Sequence, residues 1–283
     1  MRIARGLIIG TAVVLGAVFT SPAGAATKPV LTYKTYDVPG SVSTVVSGVN
    51  DLGVVAGYYT VKSGTQNGFI DHHGSITILH GPTGSTGYVV TSINTAGTIT
   101  GAYWLGKTEH AFVKTATGQP TVLNDPKVGV ASKQGTFANQ VNNSGVVVGY
   151  YFKTVNHGFQ YPDGTWGPTT TSHGFVWKNG VFTTYNAPGA STPPKPVGMT
   201  YGTQLLGLNT RGDMVGVFVQ PAGLNSNGFE ISGVTFKNNA AVTSNVKFKA
   251  IIDPQVPKGG CGFTQPSVAC RKSSSGEVKA SRD

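Results

Sequence analysis

The sequence predicts an all-β fold of repeated four-stranded antiparallel units, β-propeller-like with four or five blades, and a stacked β-solenoid is the alternative. Three observations carry this reading. An eleven-residue phrase occurs four times, as "VNDLGVVAGYY" from Val49, "INTAGTITGAY" from Ile93, "VNNSGVVVGYY" from Val141 and "LNTRGDMVGVF" from Leu208. Glycine supplies 40 of the 283 residues, about twice its usual ~7%, so turns are frequent. Short alternating runs such as "GSITIL" and "GVFTTYN" are common, and past residue 25 no apolar stripe has helical spacing.

The first element is residues 1–25. Arg2 and Arg5 precede the apolar run "GLIIGTAVVLGAVF", and Pro22 precedes the small residues Ala23-Gly24-Ala25, which is the pattern of a secretory signal. The apolar run is shorter than the ~20 residues that a membrane span requires. The mature chain is therefore expected to start near Ala26, to be secreted or periplasmic, and to have no membrane span.

Residues 26–255 form the repeat domain. Aligned on Asn50, Asn94, Asn142 and Asn209, every copy has glycine three positions on (Gly53, Gly97, Gly145, Gly212) and again seven positions on (Gly57, Gly101, Gly149, Gly216). Asn-x-x-Gly between apolar runs makes a hairpin turn: the Asn side chain bonds nearby backbone, and the Gly takes a positive φ. A triplet then opens a further strand, "NGF" at Asn67, "HAF" at His110, "HGF" at His157 and at His173, and "NGF" at Asn227. The Asn-to-Asn intervals are 44, 48 and 67 residues. The longest contains a sixteen-residue insertion, His157–Ser172, expected to form a projecting hairpin or loop. The stretch Tyr33–Ser41, "YKTYDVPGS", matches the end of the third unit, "FTTYNAPGAS", and reads as a fourth strand lacking the other three. In a ring it would complete the C-terminal blade, with Thr32–Val38 paired to a strand within Ala241–Ile252.

These residues resemble the HAF repeat of bacterial extracellular proteins, whose pattern "[IV]N-x-x-G-x-x-x-G-Y-Y … H-[AG]-F … P-G" is matched over about Tyr36–Phe236. The second unit has the His-Ala-Phe triplet, two units place Asn where His would stand, and the fourth has "GVF" for "GYY". The resemblance implies export and a β-repeat. It carries over no catalytic residue.

Candidate chemistry is sparse. His110, His157 and His173, if equivalent positions face one axis, form a possible Zn, Cu or Ni site. The plainer reading is hydrogen bonding within each unit, favoured because Asn substitutes for His. Asp71, His72 and His73 form a ligand-type cluster in "FIDHHGSI", a stretch that also aligns with hairpin turns. Trp166, inside the insertion, is the candidate exposed aromatic for a ligand, whereas the pairs Tyr58-Tyr59 and Tyr150-Tyr151 are expected in the core. The Gly-x-Ser-x-Gly nucleophile elbow is absent from the sequence, and no cofactor is implied.

The last element, residues 256–283, contains the two cysteines. Cys261 and Cys270 are read as one disulfide closing a small loop ahead of a disordered basic tail. Without residues 1–25 the chain carries 19 Lys and Arg and 11 Asp and Glu, a net charge of +8 against +10 for the whole. Charged residues are only 11% of the chain, too dilute for a nucleic-acid face. The expected function is a non-enzymatic binding or scaffold module for a cell-surface polymer such as polysaccharide, or for a cell-surface protein. The alternatives are an extracellular hydrolase or lyase acting on polysaccharide or a small ester, and a metal-binding protein.

Overall fold

The computed structural model describes residues 34–128, 135–160, 166–190, 201–219, 226–251, 269–272 and 278–281. Residues 1–25, Thr32, Tyr33 and Cys261 lie outside the described residues, and so do the side chains of His157 and Trp166. Contacts divide the chain into Met1–Thr35 and Tyr36–Asp283. Of the former only Lys34 and Thr35 are described, in no strand. All the strands belong to the latter.

The described chain is all β, in several sheets of which none closes on itself. The first unit consists of β1 (Ser43–Val49), β2 (Val55–Thr60), β3 (Gln66–His72) and β4 (Ser75–Leu79). In the second, β5 (Ser85–Ile93), β6 (Ile99–Leu105), β7 (Thr108–Lys114) and β8 (Thr121–Leu123) succeed one another, and in the third β9 (Thr136–Val141), β10 (Val147–Gln160), β11 (Trp166–Lys178) and β12 (Val181–Tyr185). Each is an antiparallel meander.

The fourth unit has β13 (Tyr201–Leu208), β14 (Met214–Val219) and β15 (Ser226–Ser232), then a separate hairpin of β16 (Thr235–Lys237) and β17 (Ala240–Val242), and finally β18 (Lys247–Ile251) on β15. A further hairpin, β19 (Ala269–Lys272) with β20 (Val278–Ser281), stands as its own sheet. Among the described residues the pairing expected between Thr32–Val38 and Ala241–Ile252 is not made. Tyr36–Val38 lies outside any strand, and β18 is taken up by β15 as the fourth strand of its own unit.

The invariant glycines have steric causes. Gly53, Gly97, Gly145 and Gly212 have φ between +71° and +92°, the left-handed conformation that the turn requires. Gly57, Gly101, Gly149 and Gly216 sit where a Cβ would overlap a first-strand carbonyl (Val45, Val89, Phe137 and Gln204) and press on the ring of Phe69, Phe112, Phe175 and Phe229. Those four phenylalanines are the third residues of the triplets and are fully buried. The first strand bulges beside each glycine, so backbone and ring approach more closely than any other residue permits.

The core lies between consecutive units. Val54 and Ala56 pack on Tyr88, Val90 and Ile93; Ala111 and Leu123 on Ala138, Val141 and Phe175; Val146, Val148 and Tyr185 on Leu205, Leu208 and Phe229. Each fully buried Phe or Leu contributes about 1.5–3 kcal/mol, and no unit buries these faces by itself. Parallel bridges stitch the same junctions, Gln66 to Gly87, Glu109 to Gly135, and Thr171 to Tyr201. The inserted residues lengthen the third unit's hairpin: past Tyr151 β10 pairs with β11 alone, out to Gln160 opposite Trp166.

Candidate functional site: an asparagine run and the cavity it lines

Each repeat asparagine does two jobs. Within its unit the Asn50 Oδ1 accepts the N–H groups of Leu52 and Val54, both at 3.0 Å, and Asn142 accepts those of Ser144 and Val146 in the same way. Thr98 and Asp213 donate to Asn94 and Asn209 at 2.9 and 3.0 Å. Between units three of the same side chains donate. Asn50 Nδ2 reaches the Asn94 carbonyl, Asn94 that of Asn142, and Asn142 that of Asn209, each at 3.0 Å. A primary amide sets its acceptor and its donor on two separate atoms of one short arm, whereas an ionised Asp only accepts and a Ser or Thr hydroxyl carries both functions on a single oxygen.

A second run lies three residues upstream. Ser47 donates to the Val90 carbonyl, Thr91 to that of Ala138 and Asn139 to that of Leu205, at 2.5, 2.8 and 2.6 Å. In the fourth unit that position is Leu206, which has nothing to donate, and the Asn209 amide turns to its own Asp213 at 2.9 Å. The Asn209 amide and Arg211 hold the Asp213 carboxyl below its ordinary range.

The turns of all four units line one cavity of about 180 Å³. Its lining combines Val49, Ile93, Val141 and Leu208 with the four asparagines, Asp51, Thr95, Gln140, Asn143 and Thr210. Asp51 is the single carboxylate in this lining. Its Oδ2 accepts from the Thr95 hydroxyl at 2.6 Å and from the Asn143 amide at 3.4 Å, which ties the first unit to the second and the third.

The triplet histidines His110 and His173 are not at this cavity. His110 Nδ1 bonds Asn124 Oδ1 at 3.1 Å, and His173 Nδ1 bonds Asn186 Oδ1 at 3.0 Å, so each joins the third and fourth strands of its unit. In the first unit the partners are exchanged: Asn67 on the third strand meets His80 at 3.0 Å. His157 does not occupy this position. The residue opposite Tyr151, as His110 is opposite Tyr103, is His173, whereas His157 falls in the register shift of the long hairpin. Burial pulls the His173 pKa down, against its bond to Asn186. Among the described residues no three His, Cys, Asp or Glu side chains lie close enough to share a metal ion.

Asp71 and its two histidines close the β3–β4 turn. Asp71 is buried, its Oδ1 accepts the Gly74 N–H at 2.6 Å, His73 has φ +53°, and His72 is exposed. Trp166 stands at the tip of the long hairpin, opposite Gln160. Tyr59 and Tyr151 are core residues, while their neighbours Tyr58 and Tyr150 are half-buried on the opposite face.

Two carboxyls in the second unit are not among the residues that the sequence motifs single out. Glu109, half-buried at the bridge to Gly135, has its pKa pushed up by burial to about 7, and its charge adds to the upward shift that burial imposes on Tyr150. Asp125 is 1% exposed; Oδ1 accepts the Lys127 N–H at 2.8 Å, Oδ2 has no hydrogen-bond partner, and burial raises its pKa. A signal for both is present in the repeat. Glu109 stands where the other units have Gln66, Ser172 and Ser226, and Asp125 where they have Gly81 and Ala187.

Comparison with known protein families, with curated proteins and with solved structures gives no match. Among the described residues no helix is long and apolar enough to cross a membrane.

Proposed function

We propose that this chain is an exported, β-propeller-like repeat protein that binds a cell-surface polymer, an acidic polysaccharide in the first instance, and does no chemistry on it. The observation that carries the reading is the cavity lining. Four units converge on amides, hydroxyls and one carboxylate, groups that hydrogen-bond sugar hydroxyls but supply no general acid paired with a base. The titratable side chains Glu109, Asp125 and His173 are engaged elsewhere, at the junction of the second and third units. The net charge of +8 left after residues 1–25 favours an anionic polymer over a neutral one. Four-stranded units sharing their cores with their neighbours support the propeller-like architecture over a solenoid, because the turns of all four line one cavity.

The test is co-sedimentation with insoluble acidic and neutral polysaccharides at low and physiological salt. Salt-sensitive retention on the acidic polymer, weakened severalfold in Asp51→Ala and Asn143→Ala proteins that melt normally, is expected. Turnover of a p-nitrophenyl ester or shortening of the polysaccharide, abolished by His173→Ala or Asp125→Ala, would replace this reading with the hydrolase. A melting temperature raised by Zn or Cu would favour metal binding.

A further inference from the structure

The three internal junctions repeat one interface, and its two halves recur unpaired at the ends of the described chain. On the incoming side Val46 and Val49 are 45% and 65% exposed. Their equivalents, Val90, Ala138 and Leu205 for the first and Ile93, Val141 and Leu208 for the second, are all at 7% or less. On the outgoing side Val215 is 45% exposed where Ala56, Thr100 and Val148 are 0%. Ile251, closing β18, is 51% exposed where Leu123 and Tyr185 are at 1% and 6%. Exposed valines on both sides of the opening mark an interface waiting for one more unit.

Part of that unit is already seated. Tyr36-Asp37-Val38-Pro39 repeats the fourth-strand ends Leu79-His80-Gly81-Pro82, Leu123-Asn124-Asp125-Pro126 and Tyr185-Asn186-Ala187-Pro188. The Val38 N–H donates to the Thr44 hydroxyl at 3.2 Å, as that of Asp125 does to Thr136 at 3.1 Å and that of Ala187 to Thr203 at 2.9 Å. Val38 is buried against Val55, Tyr59 and Phe69. So the end of a fourth strand docks on the first unit by the contact that links the later ones. Its own third strand is missing from the described residues.

Where the chain leaves β18, at the exposed Ile251, 32 residues remain, and they contain a fifth x-Gly-Phe triplet, Cys261-Gly262-Phe263. We infer that this C-terminal segment enters the opening between the fourth and first units, placing Cys261-Gly262-Phe263 beside Tyr36-Asp37 as a third strand beside its fourth. The register is that of the complete units. Gly68 pairs with Leu79, Ala111 with Leu123 and Gly174 with Tyr185, so Gly262 falls opposite Tyr36 and Cys261 opposite Asp37. The Phe263 ring then covers Val215 and Ile251, as the four triplet phenylalanines fill the junctions elsewhere. A tethered segment needs no second molecule, because its effective concentration at the opening is set by the tether.

Opposite residues of an antiparallel pair have Cα atoms ~4.5–5.5 Å apart, within the span of a disulfide. The full chain carrying Asp37→Cys and Cys270→Ser is therefore oxidised in air and mapped by peptide mass spectrometry. Asp37 is exposed, so the change does not threaten folding. A disulfide joining the thiol introduced in place of Asp37 to Cys261 within one monomer is expected, together with a fall of several degrees in the melting temperature of Val215→Glu. Absence of the cross-link overturns the inference. If Val215→Glu then still lowers the melting temperature and the protein elutes as a dimer, the opening belongs to a second copy; an unchanged melting temperature for Val215→Glu shows the face open to water and equally overturns it. Neither readout depends on binding of any polymer, so failure here is distinct from failure of the proposed function.

Discussion

Asn142 and Asn209 occupy the same place in adjacent units and fare differently. Asn142 is 7% exposed, staples its turn through Oδ1 and passes its amide to the next unit. Asn209 makes the same staple, but its amide folds back on Asp213, a residue that stands where the other units have Val54, Thr98 and Val146. One letter, set in one motif, thus links units in the interior and caps the array at its end. Its energetic weight is decided by the unit that stands beside it.

The largest effect that sharpens this contrast is expected from Asn142→Ala. It orphans two turn N–H groups and the Asn209 carbonyl bond together, at a cost of about 2–4 kcal/mol in denaturant unfolding. A loss below ~1 kcal/mol would break the comparison. Next comes a contrast between junctions. Glu109 is held protonated by burial where the first junction has Gln66. The unfolded chain gives up this proton near 4.5 and the folded chain near 7, so the folded state binds more protons between those values and stability must fall as pH rises through that window. Glu109→Gln is expected to flatten the profile and to gain about 1–3 kcal/mol at pH 8, read from unfolding midpoints at pH 4 to 8.

A smaller effect sets the first unit against the third. Asn67→His alone or His80→Asn alone breaks the bond between β3 and the residue after β4 and costs roughly 0.5–1.5 kcal/mol. The double exchange copies the order of His173 and Asn186 and is expected to recover most of it, a coupling that a double-mutant cycle measures. Non-recovery would mean that the two orders are not interchangeable. The smallest effect belongs to Asn209→Ala, below about 1 kcal/mol in the same unfolding experiment, because its amide bond is local and exposed.

Much of this is legible in the chain. The turn at Asn50, the positive φ of Gly53 and the strand alternation around Tyr58 and Tyr59 are local, so spacing reveals them. The lengthened hairpin is readable from the sixteen-residue surplus. The exchange of Asn67 and His80 for His173 and Asn186 is visible too, at a separation of 13 residues in both, although only the structure shows that these residues touch. The partner of the N-terminal fourth strand is not legible, because "KFKAI" suits any edge of this kind, and β15 lies nearer along the chain than Tyr36 does.

By itself the sequence determined the element type, the unit length and the turn chemistry, since each depends on residues within about a dozen positions of one another. Only the tertiary structure decided that Asn50, Asn94, Asn142 and Asn209 form one directed run, that Asp51 meets Asn143 from 92 positions away, and that the described residues leave Val46 and Val215 uncovered while sealing their equivalents. Those outcomes depend on which unit stands next to which. An amide has the same donor and acceptor in every copy, and a valine the same apolar surface, so their roles are fixed only when a neighbour arrives to accept the bond or to exclude the water.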